Sequence, residues 1–380
     1  MRFTKIKLPF KLKKSVLALG AQGKNTTCFA KGQSAYISRL HPDLNSPKDF
    51  LQFSQTVKYF LKKQPQAVVC DLHPEYQSSK YMSCSQYIQH HHAHIASGMA
   101  ENGLKNRKVI GIAFDGTGLG TDDKLWGAEF LICDYKNFIR VAHLKEIPLL
   151  GGERAILEPW RVAAAWMYLI YKEKFLSLKI SFIKNLDKNK WRILKKMYKA
   201  GFNSPLTSSM GRLFDAVAVL VLEKNNADYE AELALGLERL AIGYKLPATS
   251  YNFKLLKEGD SYILDPAPMF KQVVSDLKNN EPKGKIAYKF HLTVAEMARK
   301  TCAALKNKSK INEVVLSGGV FQNKLLLRLS SDLLYKEGFQ VFTHQSLPCN
   351  DSTISLGQAV IAGCAAKRLN SGRRPAPTRK

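Results

Sequence analysis

The chain lacks any run of about 18 consecutive apolar residues, the length that a helix needs to cross a bilayer. Its N-terminal residues 1–14 are basic, but they lack the apolar stretch and the small-residue cleavage site of a secretory signal. We therefore expect no membrane segment and a cytoplasmic location. Hydrophobic residues make up 45% of the 380 residues, which is enough to form a packed globular core.

Cysteine pairs with metal-binding spacing are also missing. The seven cysteines are scattered, no two of them form a Cys-x-x-Cys pair, and several lie in apolar runs, as Cys70 and Cys133 do. This pattern excludes a zinc knuckle. It favours buried, reduced thiols over a disulfide framework, which usually has an even number of cysteines.

Acidic residues are scarce, since 31 Asp and Glu face 58 Lys and Arg and leave a formal charge of +27. Such an excess attracts polyanions, whether nucleotides, nucleic acid or an acidic protein. The basic residues are nevertheless spread along the chain, and no arginine-rich helix has the spacing that reads bases. We interpret them as a solvated basic surface and do not expect dedicated recognition of nucleic acid.

Short apolar segments alternate with helical ones along the chain. Buried strands are predicted at residues 16–22, 67–72, 108–115 and 313–317, with shorter strands at 27–30 and 34–38 and a helix at 49–62. This alternation predicts an α/β fold with a largely parallel sheet.

Two lobes are expected, because a strand followed by a glycine-rich turn occurs both near the start of the chain and at Asp115. The predicted organisation is a basic leader (1–14), an N-terminal lobe (15–107), a C-terminal lobe (108–366) with a helical insertion at about 152–300, and a basic disordered tail (367–380).

The clearest local sign of chemistry is the run QHHHAH at residues 89–94, which holds four of the nine histidines. His90 and His94 are four positions apart, so on a helix they project from one face and can bind one metal ion together. The alternative is a surface histidine cluster that binds nothing. Because imidazole clusters are uncommon by chance, we favour metal binding.

Two glycine-rich segments follow buried strands. In the first, Asp115 can hold a metal, glycine N–H groups can approach phosphate oxygens, and Thr117 can donate another hydrogen bond. In the second, the strand ending at Ser317 runs into Gly318 and Gly319 and then into a helix, so a nucleotide could lie against the turn. A plain hairpin turn and a plain strand-to-helix turn explain the two patterns equally well.

Two further acids are candidates for the site. Asp351 could add a carboxylate to the histidine pair, although spacing does not say whether folding brings them together, and on the pattern alone an acid that caps a helix is the favoured interpretation. Asp215 follows SSMGRLF and could hydrogen-bond a ribose, although a solvated acid at a helix start is the simpler interpretation.

Taken in order, these segments resemble the HypF family of hydrogenase maturation carbamoyltransferases from its third domain onward. The resemblance covers roughly residues 16–365. Its motifs are CDLHPEY (70–76), QHHHAH (89–94), DGTGLG (115–120), WGAE (126–129), GGE (151–153), EPWR (158–161), SSMGRLFD (208–215), SGGVFQN (317–323) and ND (350–351) before LGQA (356–359). Small-molecule O-carbamoyltransferases and tRNA threonylcarbamoyl-transfer proteins share the same core more distantly.

The resemblance implies a two-lobed actin/sugar-kinase/heat-shock-ATPase-like architecture, with a helical insertion in the second lobe and ATP, AMP or carbamoyl-adenylate in the cleft. It implies an iron-type metal site formed by His90, His94, Asp115 and Asp351. It implies nucleotide contacts from Thr117, Gly118, Gly120, Asp215, Gly318, Gly319 and Asn323. The implied reaction passes the carbamoyl group of carbamoyl-adenylate, made from carbamoyl phosphate and ATP, to the C-terminal cysteine thiol of a HypE-type partner.

The sequence departs from the family pattern in three places. The acylphosphatase-like, zinc-finger and adenylate-forming domains of complete HypF do not occur in this chain, so we expect it to use carbamoyl-adenylate that a separate domain or protein makes. Ser352 and Thr353 stand where the family usually has two glycines. Ala231 and Glu232 stand where it usually has Gly and Gln, and they could crowd or repel the nucleotide.

Two alternative functions follow from the same observations. One is O-carbamoylation of a small metabolite, which the related transferases perform. The other is a degenerate nucleotide-binding scaffold protein, which the missing domains and the two altered turns would explain.

Overall fold

The computed structural model describes residues 2–364, and the segment predicted as a basic disordered tail (367–380) lies outside them. The strands are β1 (Thr4–Lys7), β2 (Val16–Ala18), β3 (Gly23–Asn25), β4 (Cys28–Lys31), β5 (Ser34–Ile37), β6 (His41–Asp43), β7 (Ala67–Asp71), β8 (Gln86–Ile88), β9 (Val109–Leu119), β10 (Leu125–Cys133), β11 (Phe138–Leu144), β12 (Ile147–Pro148), β13 (Leu206–Thr207), β14 (Lys254–Glu258), β15 (Ser261–Asp265), β16 (Glu313–Ser317) and β17 (Gln340–Phe342). The helices are α1 (Pro47–Leu61), α2 (Gln77–Lys80), α3 (His90–Glu101), α4 (Arg154–Leu157), α5 (Trp160–Tyr171), α6 (Ser181–Lys184), α7 (Lys188–Ala200), α8 (Met210–Leu222), α9 (Glu232–Gly243), α10 (Ala267–Lys278), α11 (Lys283–Ser309), α12 (Lys324–Lys336) and α13 (Ile354–Cys364). Among the helices of residues 2–364, none combines the length and the apolar character needed to cross a membrane.

The first sheet has six strands in the order β1-β5-β4-β2-β7-β8. Leu17 of β2 packs with Phe53 of α1, whereas Val16 and Ala18 face the core that α3 and α13 share. Helices therefore cover both faces of the sheet, which explains why β2 is continuously apolar instead of alternating. Strand β1, which lies within the predicted basic leader, pairs antiparallel with β5 at one edge.

The second sheet has nine strands, with the main order β14-β15-β11-β10-β9-β16-β17 and with β12 and β13 paired beside β10. Strand β9 is parallel to β16 and antiparallel to β10. Its Ile112 and Phe114 face the core of the second lobe, whereas Val109 and Ala113 face the core around α3. This central strand is buried on both sides and can hold a side chain in a fixed position.

The predicted helical insertion is formed mainly by helices α4 to α11. Trp166 of α5 stacks on Phe270 of α10 with ring centroids 5.4 Å apart, and Phe214 of α8 meets Phe290 of α11 edge-on at 4.7 Å. Between α9 and α10 the β14–β15 hairpin extends the second sheet through parallel pairing of β15 with β11. The predicted fold class, a two-lobed α/β fold with a helical insertion in the second lobe, is confirmed.

Helix α13 follows the second sheet in the chain but packs against the first. Gly20 N donates a hydrogen bond to Oε1 of Gln358 at 2.9 Å. Gly357 permits a very close crossing with α3, because a Cβ there would lie 1.9 Å from the carbonyl oxygen of Ala93. The crossing brings Asp351, which directly precedes α13, next to the histidines of α3.

Candidate metal centre and cleft

Helix α3 directs two histidines to one point. It begins at His90, and the side chain of Gln89 caps it by accepting a hydrogen bond from the N–H of His92 at 2.8 Å. His90 and His94 are one turn apart, and neither is exposed to solvent. The cap sets the start of the helix and thereby places both imidazoles on one face, as the spacing predicts.

Two distant aspartates meet this pair. Oδ2 of Asp115 lies 3.3 Å from Nε2 of His90 and 3.6 Å from Nε2 of His94. Oδ1 of Asp351 lies 3.7 Å and 3.6 Å from the same two nitrogens. One ligand atom of each residue lies within 4.8 Å of the others, so α3, β9 and the turn before α13 together form one cluster.

The donor set fits a divalent transition-metal ion. Nε2 of His90 and Nε2 of His94 are buried and make no hydrogen bond of good geometry. Leaving a buried polar atom unpaired costs about 1–3 kcal/mol, which favours a ligand at these two nitrogens. Two imidazoles and two carboxylates are suitable ligands for such an ion, which would also neutralise the two neighbouring carboxylates.

Charge interactions decide the protonation of this cluster in the metal-free chain. Burial is the largest effect on His90 and lowers its pKa, but Asp71, Asp115 and Asp351 together raise that pKa well above its ordinary value. Burial raises the pKa of Asp115, yet His90 and His94 hold it well below its ordinary value. The imidazoles and carboxylates therefore neutralise one another, and a binding cation must displace protons.

The other two histidines of the run have structural roles. Nε2 of His92 lies 2.7 Å from the carbonyl oxygen of Asp134, and Nδ1 of His91 lies 3.1 Å from Nε2 of Gln89. Burial lowers the pKa of His92 to about 4 and that of His91 to about 3, so both rings are neutral. His90 and His94 therefore face the cluster, whereas His91 and His92 bond to the surrounding fold.

Asp115 lies inside a strand, which corrects the predicted position at the end of a strand. Strand β9 continues past it to Leu119. Gly118 has a packing role in this extension, because a Cβ there would lie 2.9 Å from Cδ2 of His90. Bare backbone at this position lets α3 approach β9 closely, and that approach brings His90 to Asp115.

The turn that carries Asp351 accommodates Ser352 and Thr353. Oδ1 of Asn350 accepts hydrogen bonds from the N–H and the hydroxyl of Ser352 at 3.1 and 2.8 Å. The hydroxyl of Thr353 donates to the carbonyl oxygen of Asn350 at 3.0 Å. Neither residue has a positive φ, so this turn does not require glycine, and both hydroxyls stabilise it.

The cluster borders a cleft of about 790 Å³. The predicted site residues that line this cleft are Asp115, Thr117, Gly118, Asp215, Gly319, Asn323 and Asp351. Gly120 and Gly318 are not among the lining residues. The N–H of Gly120 donates to the carbonyl oxygen of Lys124 in the turn after β9, and Gly318 has a φ of +103° and would place a Cβ 2.3 Å from the carbonyl oxygen of Phe114. Gly318 therefore serves the backbone conformation, whereas Gly120 leaves room for Trp126, since a Cβ at Gly120 would lie 2.1 Å from Nε1 of Trp126.

The second glycine-rich segment supports the cluster directly. The N–H of Gly319 donates to Oδ1 of Asp115 at 3.1 Å. Oδ1 of Asn323 accepts from the N–H of Leu326 at 2.8 Å and so caps α12, while its Nδ2 lies 2.9 Å from Nε2 of His291. Burial lowers the pKa of His291 to about 4, so this ring is neutral and accepts the bond. The resemblance implies that Asn323 contacts the nucleotide, but in this structure its side chain already caps α12 and bonds to His291.

A buried arginine without a role in the sequence analysis stands beside Asp215. Arg212 and Asp215 form an ion pair at 3.0 Å on α8, and both line the cleft. Burial raises the pKa of Asp215, Arg212 opposes this shift only in part, and Glu230 adds to it. Nε and Nη1 of Arg212 have no hydrogen-bond partner. A buried guanidinium with two unused N–H groups can bind an anion that enters the cleft.

Glu232 is directed away from the cleft, which corrects the expectation that its charge meets the nucleotide. Its Oε1 lies 2.6 Å from Nζ of Lys224, and its Oε2 accepts from the N–H of Asp228 at 2.7 Å. Ala231, by contrast, lines the cleft and has a φ of +63°, a conformation that favours glycine. Of the two departures in this segment, only Ala231 can affect a ligand directly.

Asp71, which the sequence pattern marks only as part of the CDLHPEY motif, supports the cluster. Its Oδ2 lies 2.8 Å from Nδ1 of His90, and its Oδ1 accepts from the N–H of His73 at 3.0 Å. The rings of His73 and Tyr76 stack with centroids 4.2 Å apart, and both line the cleft. The signal available in the sequence was an acid at the end of the buried strand β7.

Two family models match the chain. The one described as HypF Kae1-like domain matches residues 11–101, and the one described as Carbamoyltransferase, Kae1-like Domain, second subdomain, matches residues 111–358. The chain belongs to the HypF carbamoyltransferase family. The resemblance inferred from the ordered motifs is therefore confirmed.

Curated relatives in the HypF family agree with this assignment. Carbamoyltransferase HypF of Synechocystis sp. is 34% identical over 374 residues, which cover 93% of this chain and 48% of the relative. A carbamoyltransferase HypF homolog of Cupriavidus necator is 32% identical, with 91% of each chain covered. The chain spans about half the length of the Synechocystis protein and nearly all of the C. necator homolog.

Two solved HypF structures share the fold. A full-length HypF in its phosphate- and nucleotide-bound form superposes with a TM-score of 0.88 at 40% identity, covering 95% of this chain and 57% of that one. HypF of T. kodakarensis superposes with a TM-score of 0.84 at 28% identity, covering 95% and 49%.

Proposed function

We propose that this HypF-family chain is a metal- and nucleotide-dependent carbamoyltransferase that acts in the maturation of nickel–iron hydrogenase. In this proposal the carbamoyl group moves from carbamoyl-adenylate, supplied by a separate adenylate-forming domain or protein, to the C-terminal cysteine thiol of a HypE-type partner. The observation that carries the proposal is the convergence of two imidazoles and two carboxylates beside a cleft lined by Thr117, Gly118 and Gly319.

The four clustered side chains are suited to hold a divalent ion, and the family resemblance favours iron. When bound, such an ion supplies Lewis acidity toward phosphate and carbamoyl oxygens. Asp71 accepts a hydrogen bond from Nδ1–H of His90, so a cation that displaces the Nε2 proton would meet the lone pair of Nε2 at the cluster. Gly319 holds Oδ1 of Asp115, which leaves Oδ2 near both histidines.

The start of α8 is suited to the phosphate of the adenylate. Oγ of Ser209 accepts from the N–H of Arg212 at 3.0 Å and caps the helix. Gly211 packs so tightly on β9 that a Cβ there would lie 3.0 Å from Cα of Gly116. The positive end of α8 and the unused N–H groups of Arg212 both favour an anion here. Asp215, one turn further along, can accept hydrogen bonds from ribose hydroxyls.

An external thiol is the natural acceptor in this cleft. Among the described residues that line it, none is a cysteine. Cys349, close to Asp351 in sequence, is a poor nucleophile because burial raises its pKa to about 11. In the transfer, a thiolate forms a C–S bond to the carbamoyl carbon, the bond from that carbon to the phosphate oxygen breaks, and AMP leaves. The thiol proton is lost before the attack.

The test combines the purified chain, ferrous iron and carbamoyl-adenylate with a HypE-type acceptor under anaerobic conditions, followed by peptide mass spectrometry. We expect one carbamoyl group on the C-terminal cysteine of the acceptor. An acceptor whose terminal cysteine is replaced by serine is the matched control and should stay unmodified. Failure of a chain that binds both metal and AMP to modify the acceptor would contradict the proposal.

The same assay separates the two alternatives. Carbamoylation of a hydroxyl compound, with no modification of the protein acceptor, would favour a small-molecule O-carbamoyltransferase. AMP binding without turnover on any acceptor would favour a scaffold. The pairing of Glu232 with Lys224 and the hydrogen bonds of Ser352 and Thr353 argue against a degenerate site.

A further inference from the structure

His94 is linked through its second ring nitrogen to a chain of polar side chains. Its Nδ1 lies 3.4 Å from Oγ of Ser317, and that oxygen lies 2.9 Å from Nε2 of His344. Nδ1 of His344 lies 2.5 Å from Oε2 of Glu101. Ser317 is fully buried, and the side chains of His344 and Glu101 are only 3% and 5% exposed. A continuous polar chain thus starts at the metal cluster.

Glu101 is fixed as the acceptor at the far end of this chain. Its Oε1 accepts from the N–H groups of Gln345, Ser346 and Leu347 at 3.0, 2.5 and 3.0 Å. Burial raises its pKa, but His344 and these N–H groups together hold the pKa below its ordinary value. The carboxylate is therefore ionised and can only accept hydrogen bonds.

An acceptor at one end and a neutral ring at His344 together set the direction of the bonds in the proposed relay. With its ring neutral, His344 donates from Nδ1 to Glu101 and accepts at Nε2 from the hydroxyl of Ser317. The oxygen of Ser317 then accepts a hydrogen bond from Nδ1–H of His94. The remaining lone pair of His94 lies on Nε2, the atom that faces Asp115 and Asp351.

We propose that Ser317, His344 and Glu101 form a relay that fixes the tautomer of His94 so that its Nε2 can bind the metal. These are positioning residues, and the inference rests on the metal centre of the proposed function. The relay also joins α3 to the second sheet, because His94 and Glu101 lie on that helix, Ser317 ends β16 and His344 follows β17. Asp71 has the same role for His90 in a single step.

Glu101→Gln provides an isosteric test of this direction. The three backbone N–H groups retain the amide oxygen at the Oε1 position, so the NH₂ group faces Nδ1 of His344. Each bond in the relay then reverses, and His94 receives a proton on Nε2. We expect Co²⁺ affinity, measured by isothermal titration calorimetry, to fall roughly 10- to 100-fold, as for other residues that orient metal ligands.

Ser317→Ala removes the bridge and should weaken Co²⁺ binding by a similar factor, with an altered visible spectrum of the bound Co²⁺. Ser330→Ala is the matched control, because Ser330 is a fully buried serine on α12, outside the cluster.

His344→Gln keeps an acceptor for Ser317 and should retain more affinity for Co²⁺ than His344→Leu. Circular dichroism and thermal unfolding check that each variant is folded.

The double variant Ser317→Ala/Glu101→Gln separates a relay from general destabilisation. Without the bridge Glu101 cannot act on His94, so the double variant should bind Co²⁺ as Ser317→Ala does. Additive losses, or wild-type affinity in Ser317→Ala, would overturn the relay alone. A wild-type chain that binds no Co²⁺ would overturn the metal centre and the relay together.

Discussion

Nδ1 of His90 lies 2.8 Å from Oδ2 of Asp71, and neither side chain is exposed to solvent. The carboxylate accepts a hydrogen bond from Nδ1–H, so when a cation displaces the Nε2 proton the lone pair of the ring lies on Nε2, toward Asp115 and Asp351. Asp71 also accepts from the N–H of His73, whose side chain lines the cleft. Asp71 therefore orients two groups: His90, a candidate metal ligand, and His73, which lines the cleft.

Asp71→Asn is expected to weaken Co²⁺ binding roughly 10- to 100-fold. The amide oxygen is expected to stay with the N–H of His73, which places an NH₂ group against Nδ1 of His90 and disfavours the metal-binding tautomer. Calorimetric titration with Co²⁺ measures the change. Asp260→Asn, at a side chain that is 97% exposed, controls for the lost charge. Equal affinity in wild type and Asp71→Asn would exclude this role.

His90→Ala and His94→Ala should each abolish stoichiometric metal binding while the fold persists. Each removes one of the two imidazole nitrogens of the cluster. Metal content by mass spectrometry and secondary structure by circular dichroism measure the two effects. His92→Ala is the matched control on the same helix, since Nε2 of His92 bonds to Asp134 instead of facing the cluster. Full metal content in both test variants would show that the assigned site is wrong.

Ala231→Gly is expected to raise the free energy of unfolding by about 0.5–1 kcal/mol. The left-handed backbone at this position strains alanine, and the higher chain entropy of glycine offsets part of the gain. Ala234→Gly, inside α9, should instead lower the free energy by about 1 kcal/mol. Chemical denaturation compares both with wild type. Loss of stability in Ala231→Gly would argue against the strained conformation.

The stability of Asp215→Asn relative to wild type should be higher at neutral pH than at acidic pH. The pKa of Asp215 is raised on folding, mainly by burial, so its ionised form costs stability as pH rises through that pKa. Below the ordinary pKa of an aspartate the acid is protonated in both states, so this gain of the variant relative to wild type should disappear. Denaturation at neutral and at acidic pH measures the difference. A stability advantage only at acidic pH would reverse the assigned sign.

Arg212→Met is expected to weaken AMP binding roughly 10- to 100-fold, the loss that corresponds to one or two charge-assisted hydrogen bonds. The reason is that Nε and Nη1 of Arg212 are buried and unpaired at the cleft. Calorimetric titration with AMP is the measurement. Arg161→Met is the control, because Arg161 pairs with Glu158 and does not line this cleft. Unchanged AMP affinity in the first variant would place the phosphate elsewhere.

Local patterns predicted much of this molecule because they express local physical rules. The apolar run of residues 313–317 is strand β16 with those same bounds, since a strand buried on both faces needs continuous apolar side chains. The four-residue spacing of His90 and His94 is one helical turn, and Gln89 starts that turn. In both cases the interactions that decide the structure lie within a few residues.

Other features depended on residues that are distant along the chain. The meeting of Asp351 with His90 requires the close crossing of α13 and α3 at Gly357, which spacing does not reveal. Glu232 pairs with Lys224 in a turn whose conformation its own segment does not specify. Gly118 and Gly120 belong to one motif, yet only Gly118 lines the cleft.

The sequence by itself determined the buried strands, the helix that carries the imidazole pair, and the family, because periodicity and motif order are local properties. Only the tertiary structure decided which acids reach that pair and which side chains orient it. Asp71, Ser317, His344 and Glu101 reach the histidines through packing between separate strands and helices. The direction of these side chains and the distances between them depend on how the strands and helices pack together in the whole fold.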